Sequence, residues 1–138
     1  MAIFTPVDLE ELTRFVHLVT GEKVVSCRGI EAGSVNSNYA VKLPSRELFL
    51  RLYEEQEFDG ALRETKLVAT LAERGVPTPA PLAAPDGALV GVLSSKPAAL
   101  FPWRPGPSSC QAAVTLARAE AVGRALAQVH RAGHGLTL

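Results

Sequence analysis

Two β-prone runs, Tyr39-Ala40-Val41-Lys42-Leu43 and Leu48-Phe49-Leu50-Arg51-Leu52-Tyr53, are separated only by a link at Pro44-Ser45-Arg46 and Glu47. A link this short cannot carry the chain back to start a parallel strand, which needs a crossover of about a dozen residues. The runs must therefore pair as an antiparallel hairpin. A third run, Val24-Val25-Ser26-Cys27, precedes them across the turn-rich stretch Gly33-Ser34-Val35-Asn36-Ser37-Asn38. The segment from Lys23 to Glu54 thus predicts a three-stranded antiparallel meander.

Helical patterns flank it. At Thr5-Pro6-Val7-Asp8, Thr5 suits a cap, Pro6 the first helical position, and Asp8 the place where a carboxylate meets free amides. Leu9, Leu12, Phe15, Val16 and Val19 then recur at helical spacing until Gly21. Asp59 to Arg74 offers a second apolar face in Leu62, Val68, Leu71 and Ala72, ended by Gly75 and barred from continuing by Pro77 and Pro79. Pro77 to Pro81 leads, extended, towards a strand pair at Leu89–Leu93 and Ala98–Phe101, with a turn at Pro85-Asp86-Gly87. Pro102-Trp103-Arg104-Pro105-Gly106-Pro107 interrupts regular structure and reads as a hinge. Ser108 with Gln111 forms a capping box for a long helix to about His130, crowded with Ala112, Ala113, Ala117, Ala119, Ala121, Gly123, Ala125 and Ala127. Small side chains admit a neighbouring backbone closely, so residues 108–132 predict an association face. The expected fold class is α+β, an antiparallel sheet of about five strands with helices.

Charge narrows the partners. Lys+Arg 14 against Asp+Glu 14 leaves no net charge, which argues against a nucleic acid and against adhesion to an anionic membrane. No apolar run approaches the roughly 20 residues that span a bilayer, and Met1 to Glu11 lacks the pattern of a signal peptide. Cys27 and Cys110 match no metal spacing and read as free thiols of a cytoplasmic protein. His130 reads as structural, and His17 and His134 have no carboxylate or metal-ligand neighbour in sequence.

The succession helix, three strands, helix, two strands, hinge, helix resembles the upper lobe of protein-kinase-like folds. Gly29-Ile30-Glu31-Ala32-Gly33-Ser34-Val35-Asn36-Ser37-Asn38-Tyr39 resembles the nucleotide loop of type II homoserine kinases, in the aminoglycoside phosphotransferase superfamily. Met1-Ala2-Ile3-Phe4-Thr5, Leu50-Arg51-Leu52-Tyr53-Glu54, Gly75-Val76-Pro77 and Lys96-Pro97-Ala98-Ala99-Leu100 are similar to that family in the same order. The resemblance covers essentially this whole chain, but less than half of a family member. It implies a nucleotide-binding lobe over 1–101, a hinge over 102–107, and the first helical segment of a C-terminal lobe over 108–138.

It also implies ATP and Mg2+ as cofactors and transfer of the γ-phosphate to an alcohol hydroxyl. Homoserine, in threonine biosynthesis, is the favoured acceptor; aminoglycosides, choline-like alcohols and methylthioribose stay open. The family's catalytic aspartate lies in a His-Gly-Asp segment, whereas this chain offers His134-Gly135-Leu136. No catalytic residue is therefore expected in this chain, and the Mg2+ ligands are expected beyond Leu138. A stand-alone, non-catalytic module that binds nucleotide or pairs with a subunit is the alternative of another class.

The resemblance assigns cofactor-binding roles residue by residue. Gly33, Ser34 and Ser37 are small enough for backbone amides to approach phosphate oxygens, Asn36 and Asn38 can hold the turn, and Val35 and Tyr39 complete the loop. An ordinary hairpin turn rich in Asn and Ser is the competing account. Arg51 occupies the third-strand position where kinases carry a phosphate-pairing lysine, with Glu64 as its partner on the next helix. A guanidinium presents its charge as a fork rather than a point; a solvated arginine and a surface glutamate are the alternative. Leu100, Phe101 and Trp103 fall where such folds hold the adenine base, and Trp103 could equally be a packing anchor.

Overall fold

The computed structural model describes residues 5–32, 35–106 and 113–137. Along the chain run α1 (Leu9–Thr20), β1 (Ser26–Ile30), β2 (Ser37–Lys42), β3 (Glu47–Leu52), α2 (Phe58–Glu73), β4 (Gly91–Leu93), β5 (Lys96–Pro102) and α3 (Leu116–Gly133). The strands form one antiparallel sheet in the order β1-β2-β3-β5-β4. The expected α+β fold is present, with the meander of β1, β2 and β3 at one side.

The short link makes the hairpin that it predicts: Lys42 stands opposite Glu47, and Leu43 N–H bonds Arg46 O at 2.8 Å. β5 then enters beside β3, Leu50 facing Leu100, so the last hairpin is inserted by long-range pairing. Its turn, Ser94-Ser95, is left-handed at both positions (φ 51° and 61°), the twist a tight hairpin wants but one that L residues resist. Glu11 of α1 supports it, accepting from Ser94 N–H at 2.8 Å and from its hydroxyl at 3.3 Å.

Strand alternation divides the sheet into two faces. One carries Tyr39, Val41, Leu48, Leu50, Leu52 and Leu100, all buried beneath Leu12 and Val16 of α1. α1 comes close over β4 because residue 91 is glycine: a Cβ there would sit 2.7 Å from Phe15 Cε2. The other face carries Phe49, Ala99 and Phe101, packed with Tyr53 and with Ala61, Leu62 and Val68 of α2. α2 ends as Gly75 turns left-handed (φ 84°), letting Val76 N–H reach Leu71 O at 3.0 Å.

Two helix starts differ from expectation. α1 is capped by Asp8, whose Oδ1 accepts from Glu11 N–H at 2.9 Å, and not by Thr5. Thr5 has its amide, carbonyl and hydroxyl all engaged elsewhere. α3 begins at Leu116 under a Thr115 cap, not at the Ser108–Gln111 box, which lies outside the described residues. No α3 residue is buried. Arg74 joins its end to α2, donating to Ala132 O at 2.6 Å. Cys27 is a free, half-buried thiol pushed up by burial, and Cys110 lies outside the described residues. Among the described residues, no helix is long and apolar enough to cross a membrane.

Candidate functional site

The face turned towards α2 is not filled. A cavity of about 430 Å³ opens there, lined by Phe49, Arg51, Val68, Thr78, Pro79, Phe101, Trp103 and Arg104 among others. Register explains how the sheet builds its wall. Phe49 stands opposite Phe101, and the rings meet edge to face with centroids 6.3 Å apart. Arg51 lies two residues along β3 from Phe49, hence on the same face, between Asn38 and Ala99.

Arg51 is held from several sides. Its Nη1 donates to Glu64 Oε1 at 3.2 Å, and its Nε reaches Asn38 Oδ1 at 3.4 Å. The guanidinium lies 5.7 Å from the Phe49 ring centroid, and Gln56 Nε2 donates to the second oxygen of Glu64 at 2.8 Å. The two paired side chains remain 32% and 34% exposed. Solvent screening at that exposure makes the pair worth about 1 kcal/mol or less to folding. The pair's clearer consequence is orientation: a fork-shaped cation is held in the wall of a mainly apolar cavity that also contains Thr78 and Arg104.

The segment that follows β5 supplies the rim. Trp103 N–H donates to Glu47 O at 3.2 Å, carrying the β3–β5 ladder one step past β5. Arg28 lies over the Trp103 ring at 5.6 Å and 3.9 Å from Glu47, so Trp103 is pinned by its backbone and covered by a cation. Aromatic and proline surfaces with a fixed cation at one end can accept a flat apolar group joined to an anion.

The structure thus brings Arg51, Glu64, Phe101 and Trp103 to one place. Leu100 goes elsewhere: one residue before Phe101, its side chain is 1% exposed in the core beneath α1. Its carbonyl accepts from Leu82 N–H at 2.8 Å. Gly33 and Ser34 lie outside the described residues. Val35 is exposed, but the side chains after it turn inward. Asn36 Oδ1 accepts from Glu54 N–H at 3.3 Å, Asn38 Nδ2 donates to Asn36 O at 3.1 Å, Ser37 donates to Glu54, and Tyr39 donates to Thr5 O at 2.6 Å. Asn38 therefore does hold its own turn, and any ligand contact from 35–39 must come mainly from backbone.

Phe49 was accessible to sequence reasoning, because it alternates with Arg51. Val68 belongs to the apolar face that the sequence marks on α2, whereas Thr78, Pro79 and Arg104 carry no such pattern and reach the cavity through the tertiary fold alone.

The model of the phosphotransferase enzyme family matches residues 26–137. Homoserine kinases of Janthinobacterium sp. (strain Marseille) and Rhizobium meliloti (strain 1021) are 33% and 36% identical to this chain over its full length, which corresponds to 42% of each relative. That of Rhizobium etli (strain CIAT 652) is 37% identical over the full chain and 43% of its own length. The chain thus spans less than half the length of these curated relatives. Among solved structures, spectinomycin phosphotransferase APH(9)-Ia in complex with ADP and spectinomycin superposes with a TM-score of 0.73 at 17% identity, covering 93% of this chain and 39% of that one. Its AMP-bound complex superposes with a TM-score of 0.68 at 18% identity, covering 92% and 38%. The likeness shows a shared fold. Together, the family match over residues 26–137 and the five-stranded sheet place this chain in the phosphotransferase enzyme family.

Proposed function

We propose that this chain is the nucleotide-binding lobe of an ATP-dependent kinase that phosphorylates a small alcohol, with homoserine the favoured acceptor. The observation that carries the reading is Arg51, fixed by Glu64 and Asn38 at one end of the cavity. In this reading Phe49, Val68, Phe101 and Trp103 take the base, and Arg51 takes the phosphates with backbone amides of the 33–39 loop. The acceptor hydroxyl oxygen bonds to the γ-phosphorus as the bond to the β,γ-bridging oxygen breaks, ADP leaves, and the hydroxyl proton passes to a base. Arg51 contributes by holding charge and orientation, not by moving a proton.

Homoserine is favoured because the three relatives named above are homoserine kinases. A cytoplasmic setting belongs to the same proposal, and so does association through α3, whose Leu116, Val122 and Leu126 are exposed. Among the described residues, no three His, Cys, Asp or Glu side chains gather into a group able to hold a metal.

The single tryptophan, Trp103, lines the cavity and reports directly on its occupancy. Titrating ADP into the chain should change its fluorescence with a weak dissociation constant, on the order of 1 mM. Arg51→Ala should weaken ADP about tenfold while leaving adenosine nearly unaffected. No ADP response in the unaltered chain would end the nucleotide reading; equal losses for both ligands would end the role of Arg51.

A further inference from the structure

Glu54, just past the end of β3, gathers four separate parts of the chain. Its carboxylate accepts from the hydroxyls of Ser37 and of Thr5, the latter at 2.8 Å, and lies 3.6 Å from the Lys96 ammonium. Its own amide donates to Asn36 Oδ1 at 3.3 Å, and its carbonyl accepts from Lys96 at 3.0 Å. The Glu54 side chain is only 10% exposed and Ser37 is fully buried. Thr5 closes the arrangement: its amide donates to Ser37 Oγ at 3.1 Å, and its carbonyl accepts from the Tyr39 hydroxyl at 2.6 Å. One acidic side chain thus joins the segment before α1, the root of the β1–β2 loop, the end of β3 and the start of β5.

The bonding does not stop there. Asn36 is held by the Glu54 amide, Asn38 donates to Asn36 O, and Asn38 Oδ1 accepts from Arg51 Nε. A hydrogen-bonded path therefore runs from the Glu54 backbone amide to the guanidinium that faces the cavity, and the Glu54 carboxylate anchors Ser37, the residue between Asn36 and Asn38. Placing a nearly buried carboxylate here is costly unless it is fully paired. Apolar residues could close a strand end without that cost, but they could not accept the Ser37 and Thr5 hydroxyls together.

We propose that Glu54 is a positioning residue for the phosphate end of the nucleotide site, and that Thr5 makes the segment before α1 part of the same support. Glu54 touches neither base nor phosphate; its carboxylate holds Ser37 and Thr5, which keeps Asn36 and Asn38 on either side of Ser37 in place, and Asn38 in turn orients Arg51. The inference rests on the nucleotide reading above, and its signature is selective. Losing the support should weaken ligands that carry phosphate and spare those that do not.

The test compares ADP and adenosine by Trp103 fluorescence in the unaltered chain, in Glu54→Gln and in Thr5→Val, with folding checked by circular dichroism. Glu54→Gln should weaken ADP about tenfold and adenosine less than about twofold, and Thr5→Val should weaken ADP about threefold with the same selectivity. Thr5→Val removes one hydroxyl at little change of shape, so it decides the matter where Glu54→Gln does not fold. A lower melting temperature with an unchanged ADP-to-adenosine ratio would reduce Glu54 to a structural tie and overturn the inference. An unaltered chain that does not distinguish ADP from adenosine would remove the nucleotide reading itself, and with it this proposal.

Discussion

The two faces of one sheet have been put to opposite uses. Towards α1, Tyr39, Val41, Leu48, Leu50, Leu52 and Leu100 are each 6% exposed or less and interlock beneath Leu12 and Val16. Towards α2, the alternate residues of the same strands include Asn38, Phe49, Arg51 and Phe101, and a cavity remains among them. A filled face resists deformation because close packing leaves no cheap rearrangement. The open face can then hold a cation and aromatic rings in fixed relation without having to be the source of the fold's stability.

The most severe challenge to this division is a pair of neighbouring truncations on β3. Leu50→Ala, on the filled face, should lose about 2–5 kcal/mol in denaturant unfolding, because a fully buried leucine leaves a cavity that packing cannot close. Phe49→Ala, on the open face, should cost less in stability and more in ADP affinity. Equal stability losses would mean that the faces do not differ as described.

Next comes the contact that seats α1. Gly91→Ala places a methyl group against the Phe15 ring and should cost about 1–3 kcal/mol of stability, with ADP binding unchanged once the protein is folded. A neutral result would show that α1 is loosely seated and that the filled face is less rigid than its burial implies.

A smaller effect should appear on acidification. Burial alone would raise the Glu54 carboxyl, but the hydroxyls of Ser37 and Thr5 and the Lys96 ammonium outweigh it and hold the group below the ordinary glutamate value of 4.5. A lowered folded-state pKa contributes stability that is complete above the unfolded value and lost as pH falls through the folded one. Unfolding free energy should therefore decline below about pH 4.5, and less steeply in Glu54→Gln. Identical slopes would show that the carboxylate is not held in its charged form. Smallest of all, Arg51→Ala should change stability by about 1 kcal/mol or less, since its ion pair is a third exposed. A larger loss would make Arg51 a structural member of the open face.

Much of this was legible beforehand because it is local. The brief link after Leu43 leaves only a hairpin, and the amphipathic spacing of α1 and α2 marks which sides must be buried. The pairing of Arg51 with Glu64, implied by the resemblance to kinases and not by local pattern, is present at 3.2 Å. Helix starts were harder. Thr5 looks like a cap until its amide, carbonyl and hydroxyl are taken by Ser37, Tyr39 and Glu54, which leaves the first turn to Asp8. Leu100 sits beside Phe101 in sequence yet faces away from the cavity, because successive residues of β5 point to opposite faces of the sheet.

By itself, then, the sequence determined the elements and the α+β class, consequences of periodicity and short links, while the pairing of Arg51 with Glu64 was implied by the resemblance to kinases. Only the tertiary structure decided that β5 lies between β3 and β4, that Thr78 and Pro79 reach the cavity, and that Glu54 joins residues 5, 37 and 96. The physical reason is range. Turn geometry and side-chain period act over a few residues, whereas strand insertion and a shared buried carboxylate depend on which distant surfaces can be desolvated together.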